Sequence, residues 1–155
     1  MLVHSEKMGW STEQHKRLKK ELEVLHQYFP GFKLRYFDTH IAMEGWMKTN
    51  LNNKYQLRLY VPYDMPNSIP EVVIVYPEHL VDYNGKQLVD YHQNATMHLL
   101  APRDGYPSIC TFKPTHWNPG LTFYNVLVKT RIWLEAFEGH KITGRPIDYF
   151  LKHQT

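Results

Sequence analysis

The chain contains one cysteine, Cys110, in a stretch of sequence whose residue types could support nucleophilic chemistry. A thiolate attacks carbonyl carbons and also leaves readily, so one cysteine can accept an acyl group and later release it. Asp104, His98 and His116 lie in the same stretch and supply groups that can act as acid, base or hydrogen-bond partner. A lone cysteine is more often a small buried hydrophobic residue. The surrounding elements have to distinguish these two interpretations.

The N-terminal half predicts one helix followed by strands. Ser11 and Gln14 have the spacing of a capping box, and an apolar stripe predicts a helix that ends at Pro30-Gly31. The opposite face of this helix is expected to be solvated or to form a basic docking surface for a partner, and it carries Lys16, Arg17, Lys19, Lys20 and Glu23. Aromatic-rich and alternating segments within residues 32–62 predict three strands, and the apolar run at 71–77 predicts a fourth that is covered on both faces. Four successive strands with short links indicate an antiparallel meander.

The C-terminal half predicts a long loop and then helices. Residues 77–118 have little regular pattern, and so long a loop in a compact domain is usually functional. It is centred on Cys110, which is expected to be exposed. A helix is predicted from an N-cap at Thr122 to a glycine cap at Gly139, and a short helix is predicted near Pro146. The fold class is therefore α+β.

Composition limits the classes of function. The 155 residues fit a single domain over residues 1–155, and 43% apolar residues with 14% aromatics exclude a disordered chain. A net charge of +3 is too small to indicate a nucleic-acid partner. No apolar run is long enough for a membrane span or a signal peptide, which favours a cytoplasmic protein without a membrane partner. The histidines include no HExxH motif, and the sequence has neither GxGxxG nor a P-loop, so no metal and no cofactor are expected.

This order of elements resembles the ubiquitin-conjugating enzyme fold over nearly the whole chain. Members of that family have a proline-rich link into the fourth strand, here "VPYDMPNSIPEVVIVYP", and a Gly, Ile-Cys and Trp-x-Pro series before a helix. That series is present as Gly105, Ile109-Cys110 and Trp117-Asn118-Pro119. The segments "MHLLAPRDGYPSIC" and "WLEAFEGHKITGRPIDYFL" are similar to the stand-alone bacterial branch found in CBASS antiphage operons.

The resemblance implies a partner and a reaction. In that branch the conjugating enzyme carries the C-terminal tail of a cGAS/DncV-like nucleotidyltransferase as a thioester and passes it to an amine on a target protein, a ubiquitin-like conjugation. Cys110 would be the acyl acceptor. The eukaryotic family has His-Pro-Asn before its cysteine, whereas this chain has His98-Leu99-Leu100. The asparagine assigned to the oxyanion is therefore missing, so that either a backbone N–H or His116 replaces it or the reaction is slower.

The flanking polar residues have different expected roles. His98 is expected to hold the loop through hydrogen bonds, and this role is favoured over that of a general base. His116 is the better candidate for an accessory acid or base, and Trp117 beside it is expected to shape the floor of the groove. Asp104 could orient or deprotonate the incoming amine.

Two other functions stay open at this point. A conjugating-enzyme variant without activity could serve only as a binding module, which the missing asparagine favours and the retained Cys110 opposes. A thiol hydrolase that removes the adduct would need a histidine and an orienting acid close to Cys110, and it would turn over quickly without accumulating an adduct.

Overall fold

The computed structural model describes residues 9–151, and these residues form an α+β fold as the sequence predicts. Within these residues, one α-helix precedes the strands and two α-helices follow them. Short 3₁₀ helices lie at Leu88–Tyr91 and Pro114–His116. In chain order the helices and strands are α1 (Thr12–Tyr28), β1 (Lys33–Tyr36), β2 (Ile41–Lys48), β3 (Lys54–Tyr60), β4 (Glu71–Tyr76), β5 (Leu99–Arg103), β6 (Tyr106–Ile109), α2 (Phe123–Thr143) and α3 (Ile147–Leu151).

The strands form one antiparallel sheet in the order β1-β2-β3-β4-β6-β5. The predicted four-stranded meander is present as β1 to β4, but the sheet has six strands, so the predicted number was wrong. The two additional strands lie inside the segment predicted as a long loop. They are short, and each contains a proline, Pro102 in β5 and Pro107 in β6, which removes a ladder N–H and hides the strand pattern. β5 is an edge strand, where proline is tolerated.

The helix ends follow local capping chemistry. The predicted capping box of α1 is confirmed: Gln14 N–H donates to Ser11 Oγ at 3.1 Å, and Ser11 N–H donates to Gln14 Oε1 at 3.0 Å. Thr122 caps α2 as predicted. The predicted cap at Gly139 was wrong, because α2 continues to Thr143 and ends at Gly144 with a φ of 77°. Gly139 is instead a packing position, where a Cβ would lie 2.8 Å from the ring of Phe150.

The sheet buries side chains on both faces, and the main core lies between the sheet and the helices. In β3, Tyr55, Leu57 and Leu59 face this core, as the alternation predicts. In β4, Val72 and Ile74 face the same core. A smaller apolar cluster on the opposite face contains Ala42, Tyr60 and Val73. The interpretation of β4 as a strand covered on both faces is thus confirmed.

The helix α2 carries polar side chains into the protein interior, where they fix neighbouring segments. Glu138 is 5% exposed, and its Oε2 accepts hydrogen bonds from Tyr55 Oη at 2.9 Å and Asn53 Nδ2 at 2.6 Å. The turn between β2 and β3 is thereby attached to α2. Among residues 9–151, no helix has the length and apolar character needed to cross a bilayer.

Candidate functional site

Cys110 continues directly from β6. Leu99 and Ile109 are paired across β5 and β6, and the Cys110 N–H donates to the His98 carbonyl oxygen at 2.8 Å, which extends the ladder by one bond. The thiol is half-buried. The expectation that Cys110 is exposed is wrong, because the residue is half-buried; it lies directly after β6, where the strand ladder holds its backbone. Such a setting fixes the direction of the thiol more tightly than a loop would.

The thiol lies in a desolvated setting with one nearby cation. The thiol donates a long hydrogen bond to the Phe112 carbonyl oxygen, with Sγ at 3.7 Å from that oxygen. Burial raises the pKa of the Cys110 thiol, and the positive charge of Lys113 lowers the same pKa by a smaller amount. The neutral thiol therefore dominates at neutral pH, and Lys113 is the side chain that favours the reactive thiolate. Sequence reasoning missed Lys113, although a lysine three residues from the cysteine is a detectable signal.

We expect Lys113→Ala to move the alkylation profile of Cys110 to higher pH. Loss of the cation leaves burial unopposed, so the thiol pKa rises and iodoacetamide reacts more slowly at neutral pH. The expected decrease is about two- to fivefold, because exposed charges interact through water with only about 0.2–1 kcal/mol. Lys129→Ala is the control, since its ammonium lies over the Phe112 ring at 5.5 Å and does not contribute to the shift. Equal alkylation profiles for wild type and Lys113→Ala would show that Lys113 does not lower the pKa of Cys110.

His98 fixes the backbone opposite Cys110 by contacts at both its ring and its carbonyl. Its φ is 50°, in the left-handed region that is rare for a residue with a side chain. Its Nε2 is 2.9 Å from Asp148 Oδ1 in α3, and the Asp148 N–H donates to Thr96 O at 2.8 Å. Its carbonyl oxygen also accepts from Trp133 Nε1 at 3.2 Å. These contacts agree with the loop-holding role expected for His98, and they add Asp148, which no sequence pattern marked.

Asp148→Ala is expected to loosen the backbone next to Cys110. Without the contact to His98, a hydrogen bond worth about 0.5–1.5 kcal/mol is lost, so the Cys110 amide should exchange with deuterium about two- to tenfold faster. Asp90→Ala is the matched control, because Asp90 is an exposed carboxylate in the 3₁₀ helix at Leu88–Tyr91. Unchanged exchange at Cys110 in the Asp148 variant would show that α3 does not hold this segment.

His116 and Trp117 follow the cysteine by a few residues. His116 ends the 3₁₀ helix at Pro114–His116, and its side chain is exposed. Trp117 packs edge-on against the Phe112 ring at a centroid distance of 5.5 Å, and its Nε1 donates to Pro66 O at 3.2 Å. Trp117 thus joins the segment after Cys110 to the proline-rich link before β4, which is the packing role expected of it.

Asp104 lies at the other end of β6. It occupies the turn between β5 and β6 with a φ of 53°, and its carboxylate accepts a hydrogen bond from the Tyr60 hydroxyl. An extended strand rises about 3.4 Å per residue, so β6 separates Asp104 from Cys110 by roughly 20 Å. The structure therefore does not bring this carboxylate to the thiol.

The segment that leads from Cys110 into α2 is held by α1. Arg17 Nη1 donates to Pro119 O at 2.7 Å, and its Nη2 donates to Leu121 O at 2.8 Å. Its Nε donates to Glu21 Oε2 at 3.1 Å, while Glu21 Oε1 accepts from the Phe123 N–H at 3.1 Å at the start of α2. The expectation that Arg17 lies on a solvated face is wrong, because its guanidinium is bonded on three sides. Burial raises the pKa of the Glu21 carboxyl, opposed by the Phe123 N–H and Arg17.

Comparisons with known proteins identify one family. A family model described as Type II CBASS E2 protein matches residues 21–146, which include Cys110, His98 and the Trp117 segment. No curated protein and no solved structure matches the chain. Within residues 9–151, no three His, Cys, Asp or Glu side chains lie together in an arrangement that could hold a metal ion.

Proposed function

This chain belongs to the family of Type II CBASS E2 proteins, and on that basis we propose that it is a cysteine-dependent acyl carrier in CBASS antiphage defence. Cys110 accepts the C-terminal carboxyl group of a cGAS-like nucleotidyltransferase as a thioester and transfers it to an amine of a target protein. The observation that carries this proposal is the placement of the half-buried Cys110 at the end of β6, bonded through its N–H to His98 and followed by a segment that Arg17 holds.

The transfer step needs only a nucleophile that can also leave. The amine nitrogen attacks the thioester carbonyl carbon, a tetrahedral oxyanion forms, the C–S bond breaks, and the Cys110 thiolate leaves and takes up a proton. Burial raises the thiol pKa, which keeps the free thiol protonated between cycles. Condensing a carboxylate with a thiol is uphill and releases water, so the donor must arrive already activated. We assign that step to a separate ATP-dependent activating enzyme.

The proposal includes the fold family and the extent of the domain. The helix, the β1 to β4 meander, the cysteine after β6 and the two final helices occur in the order of a ubiquitin-conjugating enzyme, and we propose this fold for a single domain over residues 1–155. The partner's tail would lie as an extended peptide on the surface that leads to Cys110. The missing oxyanion asparagine requires another donor, for which a backbone N–H is the simplest candidate.

The pair formed by His98 and Asp148 favours a second candidate, a thiol hydrolase that removes the adduct. Such an enzyme needs a histidine with an orienting acid, and Asp148 Oδ1 lies 2.9 Å from His98 Nε2. A hydrolase cysteine is usually activated by an ion pair with its histidine, which lowers the thiol pKa. Here burial raises that pKa, and the charge that opposes the rise belongs to Lys113. The thiol's environment therefore suits a carrier better.

Co-expression with the proposed nucleotidyltransferase partner, in cells that also contain the activating enzyme, tests the proposal. On a non-reducing gel, wild type should carry an adduct of the partner's size that excess thiol releases, and a partner lacking its C-terminal residue should give none. An adduct that forms and disappears with release of free partner would favour the hydrolase. A stable complex without any adduct would favour the binding module.

A further inference from the structure

Near the end of the β2–β3 hairpin, Trp46 of β2 and Tyr76 at the end of β4 form an exposed aromatic pair that the acyl-transfer site does not use. Trp46 and Tyr76 are 51% and 49% exposed, and their ring centroids are 5.4 Å apart. The strand register explains the pairing, since Trp46 lies opposite Gln56, and Gln56 lies opposite Tyr76. Exposed apolar rings cost solubility, so a surface patch of this kind usually marks an interaction site.

Two lysines lie beside this aromatic pair and face each other. Lys48 and Lys54 are direct cross-strand partners, and both side chains are exposed. Like charges directly opposite each other destabilise a strand pair, so folding alone does not favour this arrangement. Across residues 9–151, no carboxylate forms an ion pair with either lysine. The hairpin end therefore presents two positive charges without a counter-charge.

A carboxylate of β2, Glu44, already has its own partners. Glu44 lies four residues before Lys48, and it accepts from Arg35 Nη1 at 2.6 Å, Arg58 Nε at 2.7 Å and Gln56 Nε2 at 3.1 Å. Its charge is balanced within the sheet, so it does not neutralise the lysines.

The hairpin end contains an open groove, and hydrogen bonds to α2 hold the turn beside it. Trp46, Met47, Lys48 and Lys54 line a volume of about 330 Å³. The turn that joins the two strands is bonded to α2, through Asn53 to Glu138 at 2.6 Å and through the Asn50 N–H to Glu135 at 2.9 Å. A ligand would meet a surface that is already ordered, which reduces the entropy cost of binding.

We propose that this groove binds an acidic segment of a partner protein, with an apolar side chain of the segment against Trp46 and Tyr76 and its carboxylates beside Lys48 and Lys54. Charge complementarity identifies the occupant, because two of the four residues that line the groove are lysines and one is Trp46. A nucleic acid would need a broader basic surface than two lysines in a chain of net charge +3. This site is separate from Cys110 and does not depend on the acyl-carrier function.

The test uses the full chain, labelled with ¹⁵N, and a short blocked peptide of Asp and Glu residues around a central Leu-Phe pair. We expect the peptide to shift the Trp46 indole N–H and the backbone amides of Lys48 and Lys54. The peptide with Lys in place of its acidic residues should not bind, and the peptide with Ser-Gly in place of Leu-Phe should bind more weakly.

Lys54→Glu separates a binding function from a folding defect. It places a carboxylate opposite Lys48, so the melting temperature should stay the same or rise, while affinity for the acidic peptide should fall about tenfold. Lys20→Glu on α1 is the control, because it changes the net charge equally at another exposed lysine and should bind as wild type does. Trp46→Ala should weaken binding by a similar factor.

Three results would overturn the proposal. Equal peptide affinity for Lys54→Glu and Lys20→Glu would show that the hairpin charges are not involved. Tighter binding of a short single-stranded DNA or of anionic phospholipid vesicles at the same resonances would assign the groove to that other class of ligand. Shifts of the same resonances with protein concentration alone would assign it to a second copy of the chain.

Discussion

Cys110→Ala is expected to abolish the thiol-releasable adduct completely. The replacement removes the only sulfur nucleophile of the chain, and no other group can form a thioester. The loss should exceed about a thousandfold, beyond detection on a gel, because removal of a covalent nucleophile eliminates the intermediate itself. Folding should be little affected, since the side chain is half-buried and the backbone bond from residue 110 to His98 does not involve it. The measurement is the amount of adduct on a non-reducing gel.

Cys110→Ser is the matched variant, because it keeps a nucleophile of nearly the same size. An alkoxide leaves less readily than a thiolate, so any adduct should be an ester that resists excess thiol and persists longer. Binding of the nucleotidyltransferase should be the same for wild type and both variants. An adduct of normal amount on Cys110→Ala would contradict the assignment of Cys110.

Arg17→Ala is expected to destabilise the fold by about 3 kcal/mol, since removing one partner of a buried ion pair leaves an uncompensated charge. The Arg17 side chain is 24% exposed and that of Glu21 is 3% exposed. The variant also removes the donors to Pro119 and Leu121, so the segment after Cys110 should loosen. The measurement is the free energy of unfolding in urea. Arg131→Ala is the control, since the Arg131–Glu135 pair has the same helical spacing but side chains that are 42% and 26% exposed. Arg131→Ala should lower the free energy of unfolding by less than about 1 kcal/mol.

The loss of unfolding free energy caused by Arg17→Ala should depend on pH, and the pKa of Glu21 sets the direction of this dependence. Burial raises the pKa of this carboxyl in the folded state, so its contribution to stability is lost as pH rises through that pKa. Arg17 lowers the Glu21 pKa, so removing Arg17 raises that pKa further. The loss of stability at neutral pH is then larger. The loss of stability should become smaller as the pH falls from neutral toward this raised pKa, where the carboxyl becomes protonated. Adding Glu21→Gln to Arg17→Ala should recover part of the loss at neutral pH. A cost independent of pH and of Glu21→Gln would contradict this origin.

Local signals made part of the fold predictable from the sequence. The Ser11 and Gln14 capping box, the Thr122 cap and the alternation in β3 depend on residues within one element, so the sequence contains the whole signal. Cys110 could be singled out because it is unique and is followed by Trp117 at the spacing of a known family.

The remaining features depend on contacts between segments distant in sequence. β5 and β6 were missed because pairing between their backbones creates them, although Pro102 and Pro107 weaken their local pattern. The contacts of Arg17 to Pro119 and of His98 to Asp148 join segments about 100 and 50 residues apart. No local rule distinguishes such an arginine or aspartate from a solvated one. These are also the contacts that hold the segments on both sides of the thiol.

The most direct test of the acyl-carrier function is the mass of the cross-linked peptide. Wild-type protein co-expressed with the proposed nucleotidyltransferase partner and the activating enzyme should be digested under acidic, thiol-free conditions and sequenced by tandem mass spectrometry. We predict a branched peptide in which the partner's C-terminal carboxyl group is joined to Cys110 with loss of one water, and which free thiol cleaves. A partner tail joined to any other residue, or an unmodified Cys110 in a fully formed complex, would contradict the acyl-carrier function.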